Sequence, residues 1–341
     1  MSFPFDKFCQ ALQSIKNRKD KEFKQRKLIE LVTKWRQLCG NDVFPLLRLL
    51  LPQMDSVREM YGIKEQKMAS IYCKILGVDP KSDEATTMVQ WKKPKEGMYS
   101  KAYADTRQFI MRLQDVLQKR MPSSNPTTTM SIAEVNEKLD QLAKGRSIEE
   151  FENIFRYFYG HATLEEQIWL VRIILRDIEV GMSEKSILPC FHPDGLAFYQ
   201  VNTNLQSLCE ELLNQPEKKM DQCTVSVFQP FCPMLSNRCD TPDAIPDIMK
   251  NEEFWIETKL DGERIQLHMD NGVFKWFSRN SHDYTYLYGS SKEEGSMSPF
   301  IYDKFKKGIT SCILDGEMVV YNTLTKSFEP FGALKTAANG K

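Results

Sequence analysis

Glu257-Thr258-Lys259-Leu260-Asp261-Gly262-Glu263-Arg264 sets one lysine in a run crowded with charge, directly after the apolar Phe254-Trp255-Ile256. Phe254 to Thr258 is expected as a strand, and Asp261-Gly262 as a tight turn, since glycine accepts backbone angles that other residues resist. That arrangement would present the Lys259 amine at a pocket floor. A lysine amine is a poor nucleophile while protonated and becomes useful when desolvation or a neighbouring cation lowers its pKa. Arg264, five residues on, carries a planar fork suited to a phosphate. Taken alone, the run is equally well a charged hairpin turn without chemistry.

Two further elements sharpen the reading. Glu317, in Leu314-Asp315-Gly316-Glu317-Met318, lies 58 residues beyond Lys259 in a strand otherwise built of Ile313, Leu314, Met318, Val319 and Val320. A carboxylate in an apolar strand needs a partner. A ribose hydroxyl or a hard cation such as Mg²⁺ would serve, unless Asp315 and Glu317 simply face solvent on an edge strand. Between the two elements, Ser278-Arg279-Asn280 offers Arg279 as a second phosphate contact or an ordinary surface ion pair. Together the three elements point to a lysine that attacks a nucleotide phosphate, with groups nearby for ribose and metal. There is no Gly-x-x-x-x-Gly-Lys-Ser/Thr or Gly-x-Gly-x-x-Gly run, which argues against P-loop and Rossmann nucleotide binding. His161, His192, His268 and His282 sit in no recognisable constellation and are read as structural.

Working outward, the 341 residues predict two domains or three, and 41% hydrophobic with 27% charged residues is an ordinary globular balance. Up to about residue 215 the pattern is helical. Phe23, Leu28, Leu31, Val32, Trp35 and Leu38 recur at helical spacing, as do Phe109, Ile110, Leu113, Val116 and Leu117. Leu46 to Leu51 is too apolar for a surface helix, and Met121 to Thr129 is expected as a loop. Ser131 with Glu134, Ser147 with Glu150, and Thr163 with Glu166 are three capping boxes. After Pro216 the texture turns to strands. Val225 to Phe228 opens this region, Asp270-Asn271-Gly272 marks a hairpin, Ser311 to Tyr321 is a strand, and Tyr288 to Pro299 is a polar loop. The boundaries expected are a helical domain over 1–215, a linker over 216–235 and a β-rich domain over 236–341.

The net charge of zero conceals an asymmetry: residues 1–120 carry 24 Lys+Arg against 14 Asp+Glu, and the remainder 22 against 32. A basic first third suits phosphate neutralisation on nucleic acid, although Lys and Arg also serve on solvated helix faces. Nine cysteines without a Cys-x-x-Cys pair are expected to be reduced and mostly buried. No apolar run approaches the ~20 residues of a membrane span, and Met1 to Lys7 lacks a signal core.

These residues resemble the covalent nucleotidyltransferases, and within them the eukaryotic ATP-dependent DNA ligases, nearest the end-joining branch. The resemblance runs over essentially the whole chain. It rests also on Met60 to Glu65, Trp169 to Ile174 with Gly181-Met182-Ser183, Pro233-Met234-Leu235, Phe277 to Asn280 and Ile313 to Asn322. It implies a multidomain α then α+β protein, with an all-helical DNA-binding domain followed by the first portion of an adenylation domain. It implies that Lys259 attacks the α-phosphate of ATP to form lysyl-AMP, that AMP passes to a 5′-phosphate at a DNA break, and that a 3′-hydroxyl then seals the strand. By the same resemblance Glu257, Thr258 and Leu260 line the nucleotide pocket, Arg264 contacts the nucleotide, and Glu317 serves ribose and Mg²⁺. Double-stranded DNA ends, a nuclear location and the nuclease Artemis at the first helices (with Phe3, Phe5 and Phe8 as contacts or as core) follow from it too. The family continues with an adenine-stacking aromatic, a second metal-binding glutamate, paired lysines and an OB-fold. The end-joining branch adds BRCT repeats that bind a coiled-coil partner. On that pattern the chain is expected to be an N-terminal fragment that does not complete ligation alone. The competing readings are a DNA- or partner-binding module without catalysis, and an RNA ligase or capping enzyme, which would not need the long helical domain.

Overall fold

The structure is a computed structural model describing residues 2–58, 61–91, 106–121, 130–220 and 224–339. The expected loop over 121–129 lies outside them, apart from Met121. The chain separates into two compact units, Met1–Leu196 with Asn204–Met220, and Ala197–Thr203 with Asp221–Lys341.

The first unit is helical: α1 (Phe5–Lys16), α2 (Lys21–Cys39), α3 (Phe44–Leu50), α4 (Glu65–Ile75), α5 (Asp83–Val89), α6 (Thr106–Arg120), α7 (Ile132–Lys144), α8 (Ile148–His161) and α9 (Leu164–Ile174), followed by shorter turns. Phe5, Phe8, Leu12 and Ile15 recur along α1 at three- and four-residue spacing, and all are buried. Of the two readings for Phe3, Phe5 and Phe8, the core one prevails, since Phe3 is 4% exposed and the other two 0%. α2 starts where Asp20 accepts from the Glu22 amide and buries Leu28, Leu31, Val32 and Trp35, whereas Leu38 stays exposed. α3 buries Leu46, Leu47, Leu49 and Leu50, as its composition demands. The three capping boxes open α7, α8 and α9, each hydroxyl accepting from the backbone of the glutamate three residues on.

The second unit is built on an antiparallel sheet of order β2-β1-β3, with β1 (Glu263–Asp270), β2 (Val273–Ser278) and β3 (Ser311–Met318). Asn271 and Gly272 turn β1 into β2 with φ of 49° and 82°, the left-handed angles a two-residue hairpin requires. A minor ribbon pairs β4 (Tyr321–Asn322) with β5 (Ser327–Phe328), so the strand expected over 311–321 breaks after Met318. Ile265, Leu267, Met269, Phe274 and Trp276 line one sheet face against Tyr288 and Leu334. On the other face Gln266 and His268 hold the lead-in segment. The Phe228 amide donates to His268 Nδ1 at 2.9 Å, the Phe231 amide to Gln266 Oε1 at 3.2 Å, and Gln266 Nε2 to the Phe231 carbonyl at 2.7 Å.

Three expectations are corrected. Phe254 to Thr258 is not a strand: it is extended coil, with Trp255 95% and Ile256 87% exposed. Its apolar composition favours a strand, but a strand also needs a ladder, and among the described residues no strand pairs with it. Val225 to Phe228 is likewise held by side chains rather than by a ladder. The polar loop after β2 contains helical turns at Thr285–Tyr288 and Ser298–Ile301.

Candidate functional site

The strand register gathers most of the candidate residues at one end of the sheet. Ile265, near the start of β1, lies opposite Gly316 on one side and Ser278 on the other. Gly262 and Arg264 at the start of β1, the Asp315–Glu317 stretch of β3 and Arg279 just after β2 therefore share that end. Lys259 lies three residues before Gly262 in coil, without the tight turn expected at Asp261-Gly262, whose glycine does not take up a left-handed φ.

Two contacts anchor the entry to β1 against β3. The Gly262 amide donates to Glu317 Oε1 at 3.2 Å. A Cβ added at Gly262 would stand 2.3 Å from the Met318 carbonyl oxygen and 2.6 Å from Val319 Cγ1, so the chain passes β3 too closely for any side chain here. Two residues later, Arg264 lies opposite Glu317 in the register and reaches diagonally to Asp315, Nη2 to Oδ2 at 2.7 Å. Its guanidinium carbon stands 5.7 Å from the Phe231 ring centroid, and its Nη1 is buried without a hydrogen-bond partner. Burial gives no reason for a largely covered cation to leave one fork arm unpaired.

Glu257, Thr258, Lys259 and Leu260 are all exposed, as is Arg279. The pocket floor expected beneath Lys259 is not formed by the described residues. Arg279 follows a local turn in which the Ser278 amide donates to the His282 carbonyl and the Ser281 amide to the Ser278 carbonyl, each at 2.9 Å. The sequence reading missed Asp315 as the partner of Arg264, and Phe231 beneath it. The diagonal offset between β1 and β3 pairs Arg264 with Asp315, and no sequence spacing displays it.

In the helical unit a separate groove is lined by Tyr61, Gly62, Ile63, Lys64, Lys67 and Arg176, among others. It opens at the start of α4, where Gly62 has φ of 61° and Lys64 sits at the cap position without a capping side chain. The first amides of α4 thus keep their donors for other acceptors. The sequence reading missed this groove, because its walls come from positions more than a hundred residues apart. Among the described residues no helix is long and apolar enough to cross a membrane.

Comparison with known proteins agrees with both units. Residues 4–192 match the family described as DNA ligase N terminus, and residues 233–341 match the ATP dependent DNA ligase domain. DNA ligase 4 of Aspergillus fumigatus is 38% identical over 332 residues, covering 92% of this chain and 33% of that protein. The DNA ligase 4 proteins of Gallus gallus and Homo sapiens are 33% and 34% identical over 338 residues, covering 95% of this chain and 36% of theirs. The chain thus spans about a third of the length of these relatives. A solved structure titled Pmar-Lig_Pre. aligns over 93% of this chain and 51% of its own at 13% identity, with a TM-score of 0.44. A helical unit matching the ligase N terminus, joined to a sheet unit matching the ATP-dependent catalytic domain, leads to one conclusion: this chain belongs to the eukaryotic ATP-dependent DNA ligases.

Proposed function

We propose that this chain contributes DNA grip and the nucleotide-accepting lysine to an ATP-dependent ligase of the end-joining type, which seals double-strand breaks. In this reading the Lys259 Nζ attacks the α-phosphate of ATP. An N–P bond forms, the bond to pyrophosphate breaks, and the amine gives up a proton. The adenylate then moves to a 5′-phosphate at a DNA end, and a 3′-hydroxyl displaces AMP. Arg264, with its unpaired Nη1, would meet the nucleotide. Glu257, Thr258 and Leu260 would border the base and sugar, and Arg279 would add a second cation. Glu317 would supply a hard oxygen donor that suits Mg²⁺, whose role would be to offset charge on the phosphates, while Asp315 is held by Arg264. The observation that carries the reading is the shared sheet end, where Gly262 and Arg264 tie the segment after Lys259 to the two carboxylates of β3.

The helical unit, over 1–215 in our division, would hold duplex DNA ends, with 216–235 as linker and 236–341 as adenylation portion. The groove at the start of α4 is our candidate for a DNA-backbone contact, because unpaired amides at a helix start, two lysines and an arginine converge there. A nuclear location follows from that task. Docking of the nuclease Artemis on the first helices would have to use their exposed faces, since Phe5 and Phe8 are buried.

A second reading is favoured by the exposure of Lys259: a DNA- or partner-binding module without catalysis by itself. Incubation with α-labelled ATP and Mg²⁺ separates the two. Label that survives denaturation and is lost in Lys259→Ala supports adenylation, and absence of label supports the module.

A further inference from the structure

The least expected feature of the helical unit is a cluster of buried charge behind the groove. Arg58 is 4% exposed and Asp55 2%. The Arg58 Nε donates to Asp140 Oδ1 at 2.9 Å and its Nη2 to Asn136 Oδ1 at 2.9 Å, both on α7. Its amide donates to Asp55 Oδ1 at 3.2 Å, while Asp55 Oδ2 accepts from Arg48 Nε of α3 at 2.8 Å. Its carbonyl accepts from Arg176 Nη2 at 2.8 Å. The amide, the carbonyl and two of the three guanidinium nitrogens of one residue are thus bonded, to Asp55, to Arg176 and to α7 respectively.

Arg176 lies just beyond α9, with its guanidinium carbon 5.9 Å from the Tyr61 ring centroid, and both residues line the groove. Two of the groove's walls therefore hang on Arg58. Buried ion pairs are frequently no more stabilising than apolar residues of the same volume. The cluster's contribution is better sought in geometry than in stability.

We propose that Arg58, clamped by Asp140 and Asp55, is a positioning residue that sets Tyr61 and Arg176 in register for a DNA backbone phosphate. The proposal rests on the reading of this groove as a DNA contact. It also makes a prediction of unusual sign. Asp140→Asn keeps the side-chain shape and raises the net charge by one, which by long-range attraction alone strengthens binding to a polyanion. If Asp140 acts by holding Arg58, binding weakens instead.

The test uses the full 341-residue chain and a fluorescent DNA duplex with 5′-phosphate ends, titrated across a salt series. Asp140→Asn and Arg58→Lys should each weaken binding about tenfold and lower the salt slope by about one, the signature of a lost phosphate contact. Asp140→Asn should add nothing to Arg176→Gln, because both remove the same contact. Amide hydrogen exchange should speed up over residues 61–67 while α7 stays protected. Unchanged or tighter binding of both variants, or losses additive with Arg176→Gln, overturns the proposal. If Arg176→Gln alone leaves binding unchanged, the DNA reading of the groove falls, and exchange decides the clamp by itself. Faster exchange over 61–67 supports it, and unaltered exchange overturns it.

Discussion

The backbone amide of Gly262 donates to the Glu317 carboxylate at 3.2 Å across 55 residues of sequence, joining the segment after the candidate nucleophile to the candidate metal ligand. Close packing enforces the same joint, since any Cβ at Gly262 would meet the Met318 carbonyl oxygen.

Gly262→Ala tests that joint. The added methyl must push the entry to β1 away from β3, an overpacking that costs about 1–3 kcal/mol. Chemical denaturation followed by tryptophan fluorescence should register the loss in the sheet unit, which contains Trp255 and Trp276. Stability equal to that of the unaltered chain would mean that the close approach is not maintained in solution.

His268 makes the sheet unit acid-sensitive. Burial pushes its pKa down from 6.5 to about 4, with Asp315 opposing and Lys275 adding to the shift. A neutral imidazole accepts from the Phe228 amide through Nδ1, and an imidazolium cannot. Because the folded value is depressed, the unfolded chain binds the extra proton first as pH falls. The stabilisation is complete above about 6.5 and drains away towards about 4. Thermal melts across that window should show a falling midpoint in the native chain and a flatter profile in His268→Phe. Identical slopes for the two would remove His268 as the cause.

Asp55→Ala breaks the buried cluster of the helical unit. It leaves the Arg48 Nε, now bonded at 2.8 Å, without its carboxylate, and removes the acceptor for the Val57 and Arg58 amides. Removing one partner of a buried pair costs about 3–5 kcal/mol. Guanidinium unfolding should show it, and a change below about 1 kcal/mol, the scale of an exposed pair, would contradict the geometry.

What the sequence makes legible here is mostly local. Three hydroxyl–glutamate pairs mark the starts of α7, α8 and α9, because a capping box is complete within four residues. The β1–β2 hairpin is visible in Asn271-Gly272 for the same reason. Phe254 to Thr258 misled because composition reports willingness to form a strand, whereas a strand exists only where a neighbour supplies its ladder. The Arg264–Asp315 pair and the Arg58–Asp140 pair, separated by 51 and 82 residues, depend on register and helix packing that no window of sequence contains. The order of Lys259, Arg279 and Glu317 was visible as motifs. Their arrival at one sheet end needed the strand order β2-β1-β3.

The most direct measurement is covalent. The chain is incubated with α-labelled ATP and Mg²⁺, denatured, digested, and the label located by peptide. Adenylate should be found on the peptide containing Lys259 and be lost in Lys259→Ala. Label missing from the unaltered chain, or undiminished when that amine is removed, would contradict the assignment.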